Sequence, residues 1–233
     1  MYRESAPPPD LAEHLACVWT SVSSGGAILP DGCVDVVWRG EELVIAGPAT
    51  RPQDPGVGAG TGVFGVRFRL GAAGAALGWP AEEFLDAYVP VEAVWGPEAV
   101  ERVAFGGLPA LVAEVRARVQ APVDPLARAA ALGLARSGAR VDALGNALGL
   151  SERQLRRRFA QAVGYGPKTL ARVLRFQRFL ALAGGGSEDL ARLALSAGYA
   201  DQAHLTRECR RLAGRTPLEL LAGGATPAGE RLV

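Results

Sequence analysis

Apolar positions change their period partway along the chain. In residues 63–70, VFGVRFRL, Phe64, Val66, Phe68 and Leu70 alternate with Gly65, Arg67 and Arg69. That is the period-two pattern of a strand with one apolar face. Residues 28–38, ILPDGCVDVVW, place a Pro-Asp-Gly turn ahead of another alternating run, and residues 39–42 read as a hairpin leading to a strand at 43–46. Residues 11–19 fit a short helix or, from Ala16, the start of a strand. Residues 47–62 form a Gly/Pro-rich loop. From residue 97 the period is helical, first over 97–118 and then repeatedly to residue 220. The pattern predicts a β-rich first half and an all-helical second half.

The second half carries its own stop and start signals. Asp124 caps a helix whose first turn holds Pro125. Val141, Leu144, Ala147 and Leu148 form a short apolar stripe broken by Gly149. Ser151 is placed as an N-cap, Leu155 and Phe159 share an inward stripe, and Arg153, Arg156 and Arg157 share another face. Gly164 stops that helix and Pro167 starts the next. The pattern recurs: an apolar helix near 190–197, a turn at Gly198, a cap at Asp201, and a helix that buries Leu205, Cys209 and Leu212 before Gly214 and Pro217. Two short helices joined by a Gly-containing turn, the second basic outside, describe a helix-turn-helix reader of duplex DNA.

The motifs S-E-R-x-L-x-R-x-F-x-x-x-x-G-x-x-P at 151–167, G-Y-x-D-Q-x-H-L-x-R at 198–207 and R-R-x-x-G-x-T-P at 210–217 resemble the DNA-binding domain of AraC/XylS-family transcription regulators. In the first half, ILPDGCVDVVW, VIAGPATRP, GVRFRLGAA and VPVEAVWG resemble an uncharacterised cupin-like sensor domain found ahead of such units. The resemblance implies an α+β, two-domain chain: a cupin-like barrel or sandwich for sensing or dimerisation over residues 1–121, and an all-α double helix-turn-helix domain over 122–225.

Charge follows this division. Residues 140–220 hold 14 Lys and Arg against 7 Asp and Glu, a balance of +7, while the remainder holds 11 against 17, or −6. A basic module joined to an acidic one is what a DNA-binding domain tethered to a sensor shows. The candidate DNA contacts are Arg153, Gln154, Arg156 and Arg157 in the first unit and Gln202, His204, Thr206 and Arg207 in the second. Arginine suits guanine and glutamine suits adenine, although many such contacts go to phosphate instead. Arg158 is better suited to a phosphate or an ion pair. Each monomer is expected to meet two major-groove half-sites in its operator.

Other chemistry finds little support. The three cysteines are widely spaced, and two histidines, one of them in a recognition helix, do not assemble a metal centre. Glycines 60, 62 and 65 match a dinucleotide fingerprint but lead into a strand, not a helix. No metal or cofactor is expected, and neither a signal peptide nor a membrane span is read. In the first half, Arg67 and Arg69 point either to solvent, the commoner arrangement, or into a cavity where they would suit an anionic effector, with Asp35 and Trp38 beside them. The expected function is sequence-specific regulation of transcription in the cytoplasm in response to a small molecule, with a homodimer and RNA polymerase as candidate partners. The alternative is a cupin-like catalytic or ligand-binding protein whose helical half only targets it to DNA.

Overall fold

A computed structural model describes residues 2–119, 121–135, 141–184 and 189–223. The expected domain end at residue 225 lies outside them. Six strands form one antiparallel sheet in the order β1-β2-β5-β3-β4-β6. They are β1 (Arg3–Ser5), β2 (Leu15–Val22), β3 (Asp35–Arg39), β4 (Glu42–Ala46), β5 (Gly62–Phe68) and β6 (Tyr88–Pro90). The sheet is open, since no ladder joins β1 to β6. The ambiguous stretch at 11–19 divides: Leu11 ends a 3-10 turn, and from Leu15 the chain is β2, paired with β5 as far as Val22 across a register shift between Leu15 and Cys17.

The parity of the strands gives the sheet two different faces. Val36, Leu43, Ile45, Val66 and Phe68 point one way, into a core closed by Val103, Leu111 and Val115. Those three lie on α3 (Pro97–Arg118), a helix that kinks where Gly107 takes a φ of 63°. The shorter α1 (Ala73–Leu77) and α2 (Glu92–Trp95), with a 3-10 turn at Ala81–Phe84, complete this layer. The opposite face, bearing Trp19, Asp35, Val37 and Arg67, is left for the loops before β3 and after β4 to cover.

Among the described residues the second half is built of helices: α4 (Pro125–Ala135), α5 (Val141–Ala147), α6 (Glu152–Val163), α7 (Pro167–Ala183), α8 (Leu190–Ala197), α9 (Gln202–Ala213) and α10 (Pro217–Ala222). Asp124 accepts from the N–H groups of Leu126 and Ala127 and so caps α4. Leu170, Val173, Phe176 and Phe179 run along α7 as the fully buried spine against which both pairs of short helices pack. Leu29 and Leu70, from the first half, pack into this same core. The two halves therefore share apolar surface.

Candidate nucleic-acid interface and ligand cavity

In the first unit, Ser151 accepts from the Gln154 N–H at 3.3 Å and its own N–H donates to Gln154 Oε1 at 3.0 Å, a reciprocal capping box. Gln154, a candidate base reader, thus turns its carbonyl oxygen back on the helix. Gly164, with φ at 94°, ends α6. Leu155, Phe159, Ala162 and Val163 are buried, which leaves Arg153 and Arg157 on the opposite side with Gln161, and Arg156 at its edge. None of the three arginines forms an ion pair among the described residues. Arg158 does, reaching Asp124 at 2.6 Å and tying α6 to the cap of α4.

In the second unit, Asp201 caps α9 by accepting from the His204 N–H at 2.6 Å. His204 Nδ1 accepts from Ala200 N–H at 3.4 Å, and its ring stands edge-on to Tyr199. Thr206 donates its hydroxyl to the Gln202 carbonyl at 2.9 Å. Both side chains are therefore engaged locally, whereas Gln202 and Arg207 are exposed. Arg210 and Arg211 are exposed as well. Sequence reasoning left them out of the contact set, although their position three and four residues after Arg207, on the same helix face, was a usable signal. Arg172 on α7 binds Glu208 on α9 through two bonds of 2.7 and 3.0 Å, so the spine helix also orients the second basic helix.

The first half presses against the first unit. A Cβ on Gly74 of α1 would overlap the Gln161 carbonyl, and one on Gly164 would meet the Ala81 carbonyl oxygen at 2.9 Å. Glu82 and Glu83 share a groove with Arg156 and Arg157. On another side, the turn Pro30-Asp31-Gly32 enters the helical half as a wedge. Gln177 Nε2 donates to the Pro30 carbonyl at 2.7 Å, and a Cβ on Gly32 would lie 3.4 Å from Leu170 and 3.6 Å from the Tyr165 hydroxyl. That buried hydroxyl has no hydrogen-bond partner among the described residues.

The other side of this wedge lines a cavity of about 310 Å³ on the free face of the sheet. Trp19, Val37, Val63 and Tyr88 supply apolar wall, and Asp31, Asp35 and Arg67 supply a polar end. Gly65 makes room for Trp19: a Cβ there would come within 2.9 Å of the indole. Arg67 and Asp35 face each other across the β3–β5 ladder, joined by bonds of 3.1 and 3.0 Å, and Asp31 lies 3.4 Å from the same guanidinium. Burial pushes the Asp35 carboxyl up, against the pull of Arg67. Burial also pushes the Cys33 thiol well above its usual value, which removes it as a nucleophile.

Three expectations for this half change. Arg67 does not face solvent; it is buried in the cavity, but two carboxylates already match its charge, so it is not a vacant anion site. Arg69 leaves the cavity, because its Nε donates to the Ala12 carbonyl at 2.7 Å. Trp38 lies three positions after Asp35, an odd offset along the strand, so it faces the helical layer and stacks on Phe64 with centroids 6.2 Å apart. His14 also stays away from any such centre, its Nε2 lying 3.1 Å from the Ala121 carbonyl oxygen.

The family model described as a helix-turn-helix domain matches residues 144–223, and one described as a domain of unknown function matches residues 3–90. No curated protein matches the chain. Among solved structures, it is similar to a probable AraC family transcriptional regulator from Rhodopseudomonas palustris, with 26% identity, 44% of this chain and 94% of that one covered, and a TM-score of 0.36. It is also similar to an apo variant of ToxT from Vibrio cholerae, with 11% identity, 88% and 97% covered, and a TM-score of 0.47. Unsaturated fatty acid-bound ToxT gives 9% identity, 91% and 96% covered, and a TM-score of 0.43. These overlaps are loose, and the family match carries the assignment. Residues 144–223 belong to the AraC-type helix-turn-helix domains, and the chain is a DNA-binding transcription regulator. Among the described residues, no helix is long and apolar enough to cross a membrane.

Proposed function

We propose that α6 and α9 read two major-groove segments about 34 Å apart, one turn of duplex, and that residues 1–121 control access to the first. Arg157 and Arg207 contact bases, Gln202 reads beside Arg207, and Arg153, Arg156, Arg210 and Arg211 hold phosphates. The backbone groups that engage Gln154, His204 and Thr206, with the Tyr199 ring against His204, give these three a role in shaping the helix starts. The site of action is the cytoplasm, where the duplex is, and the task is recognition without a catalytic step.

One observation carries the control mechanism. Toward its C-terminal end α6 is abutted by α1 and the Ala81–Phe84 turn, at the Gln161 backbone carbonyl and at buried Gly164, on the side opposite its core. A helix lying in the major groove needs that side clear. The docked arrangement is thus the DNA-poor state, and the wedge at Pro30–Gly32 links it to the cavity. An effector binding in the cavity shifts the population between docked and open forms through its different affinity for each.

The test is a genome-wide occupancy map of the protein beside that of an Arg157→Ala, Arg207→Ala double variant. Sharp sites sharing a two-part motif, lost in the variant, are expected. Loss of about 1–3 kcal/mol per bidentate base contact is enough to empty them. Occupancy that is diffuse, or unchanged in the variant, refutes the assignment of α6 and α9 as readers.

A further inference from the structure

The polar end of the cavity selects a charge, an inference that rests on the sensing function proposed above. Two carboxylates, Asp31 and Asp35, face one guanidinium there. Asp35 and Arg67 are each only 9% exposed, so the excess negative charge lies where water does not screen it. Arg39, the other cation in the wall, keeps one donor, Nε–H, without an acceptor among the described residues, while the rest of its guanidinium is engaged. Its guanidinium donates to the Pro55 carbonyl at 2.6 Å, meets Glu42 at 3.3 Å and lies 4.3 Å over the Tyr88 ring.

A second observation comes from Trp19. It is 8% exposed, lies over Gly65 in the cavity wall, and its Nε1–H has no close acceptor, its pull on the Asp35 carboxyl acting from beyond ordinary hydrogen-bond length. Buried indole N–H groups ordinarily have one. The cavity therefore presents an unmatched negative charge, an unused donor and apolar walls together.

We propose that this cavity takes a small apolar monocation: an amine whose ammonium lies between Asp31 and Asp35, whose adjacent oxygen accepts from Trp19, and whose body packs on Val37 and Val63. The ammonium supplies the missing positive charge and donates to carboxylate oxygens that have lone pairs to spare. Asp31 also sits between Pro30 and Gly32, the two residues that touch Gln177 and Leu170 of α7. The group that grips the ligand is thus in the wedge itself.

The test uses full-length protein and three probes on one skeleton: phenylethanolamine, mandelate and phenylethanediol, which are cationic, anionic and neutral. Calorimetric titration should show the amine binding about tenfold more tightly than mandelate, with the diol between them. Asp31→Asn should weaken the amine about tenfold while keeping the turn, since the asparagine oxygen can still accept from the Cys33 N–H. Mandelate binding as well as the amine, an unaffected Asp31→Asn variant, or no binding by any of the three overturns the proposal. Operator affinity measured in the same samples separates the two readings. An amine that binds without changing it upholds the ligand class and refutes sensing; mandelate that binds and changes it does the reverse.

Discussion

Replacing Gly74 with alanine should loosen the two halves of this protein from each other while leaving both cores intact. Gly74 lies inside α1 and does not use the left-handed region, so alanine suits its backbone. Helix propensity alone favours the change by about 1 kcal/mol. The added methyl, however, would stand 3.2 Å from the Gln161 carbonyl carbon, closer still to its oxygen, and 3.4 Å from the Trp79 carbonyl oxygen. These are backbone atoms in the last turn of α6 and beside α1, not side chains that can rotate away. Restoring ordinary contact distances requires α1 and α6 to part by about 1 Å. Overpacking of this kind costs about 1–3 kcal/mol, and here the cost falls on the docked form alone. A shift of that size changes the ratio of open to docked molecules by about 5- to 150-fold. In the absence of effector, operator affinity should therefore rise by up to that factor, as measured by fluorescence anisotropy on a labelled duplex. Amide exchange should quicken at α1 and the end of α6 but not in β2 or β5. Operator affinity that falls or stays constant, while exchange at α1 does quicken, would refute the argument that docking withholds α6 from DNA.

Other perturbations test the remaining parts. Gly65→Ala should collide with Trp19 and with the Val36 carbonyl, lowering stability by about 1–3 kcal/mol and shifting the Trp19 emission, read by urea unfolding and fluorescence. Asp124→Ala should cost about 1 kcal/mol through the lost cap, and it also frees Arg158. The Asp124 carboxyl sits below its usual value: partial burial raises it, but the N–H groups of Ala127 and Leu126 and the charge of Arg158 lower it further. The stabilisation is therefore present at neutral pH and fades on acidification through that lowered value; Asp124→Asn, which keeps the cap, should flatten this acid limb of the stability profile. Arg157→Ala alone should reduce the slope of log affinity against log salt by about 1 if Arg157 holds a phosphate. The base contact proposed for Arg157 predicts the other result, relaxed preference at one base pair in a set of single-base operator variants, and a changed salt slope with preference intact would refute it.

How much of this was legible beforehand depends on the distance over which each feature is determined. Both basic helices, their caps at Ser151 and Asp201 and their stops at Gly164 and Gly214, are set by residues within about one turn of each other. The sequence therefore contained them outright. The same local bonds also explain why Gln154, His204 and Thr206 looked like free polar contacts: their partners are backbone groups, which residue types do not reveal. In the sheet, alternation identified β5 and separated Arg67 from Val66 and Phe68, but it left open which face would be covered. That was decided by α3 packing on one side and by the loops before β3 and after β4 closing over the other.

The pairing of Arg67 with Asp35 shows the boundary most clearly. The sequence by itself determined that each residue sits in an alternating strand. Only the β3–β5 register put them opposite each other, and that register depends on the apolar rows of both strands meeting α3 together. The same holds for the wedge and for the covered face of α6. Glycines 32 and 164 were read as turn and stop residues, and the pattern gave Gly74 no role. Their absent side chains are what let segments far apart in the chain come into contact, and a missing side chain acquires that meaning only once its neighbour is in place.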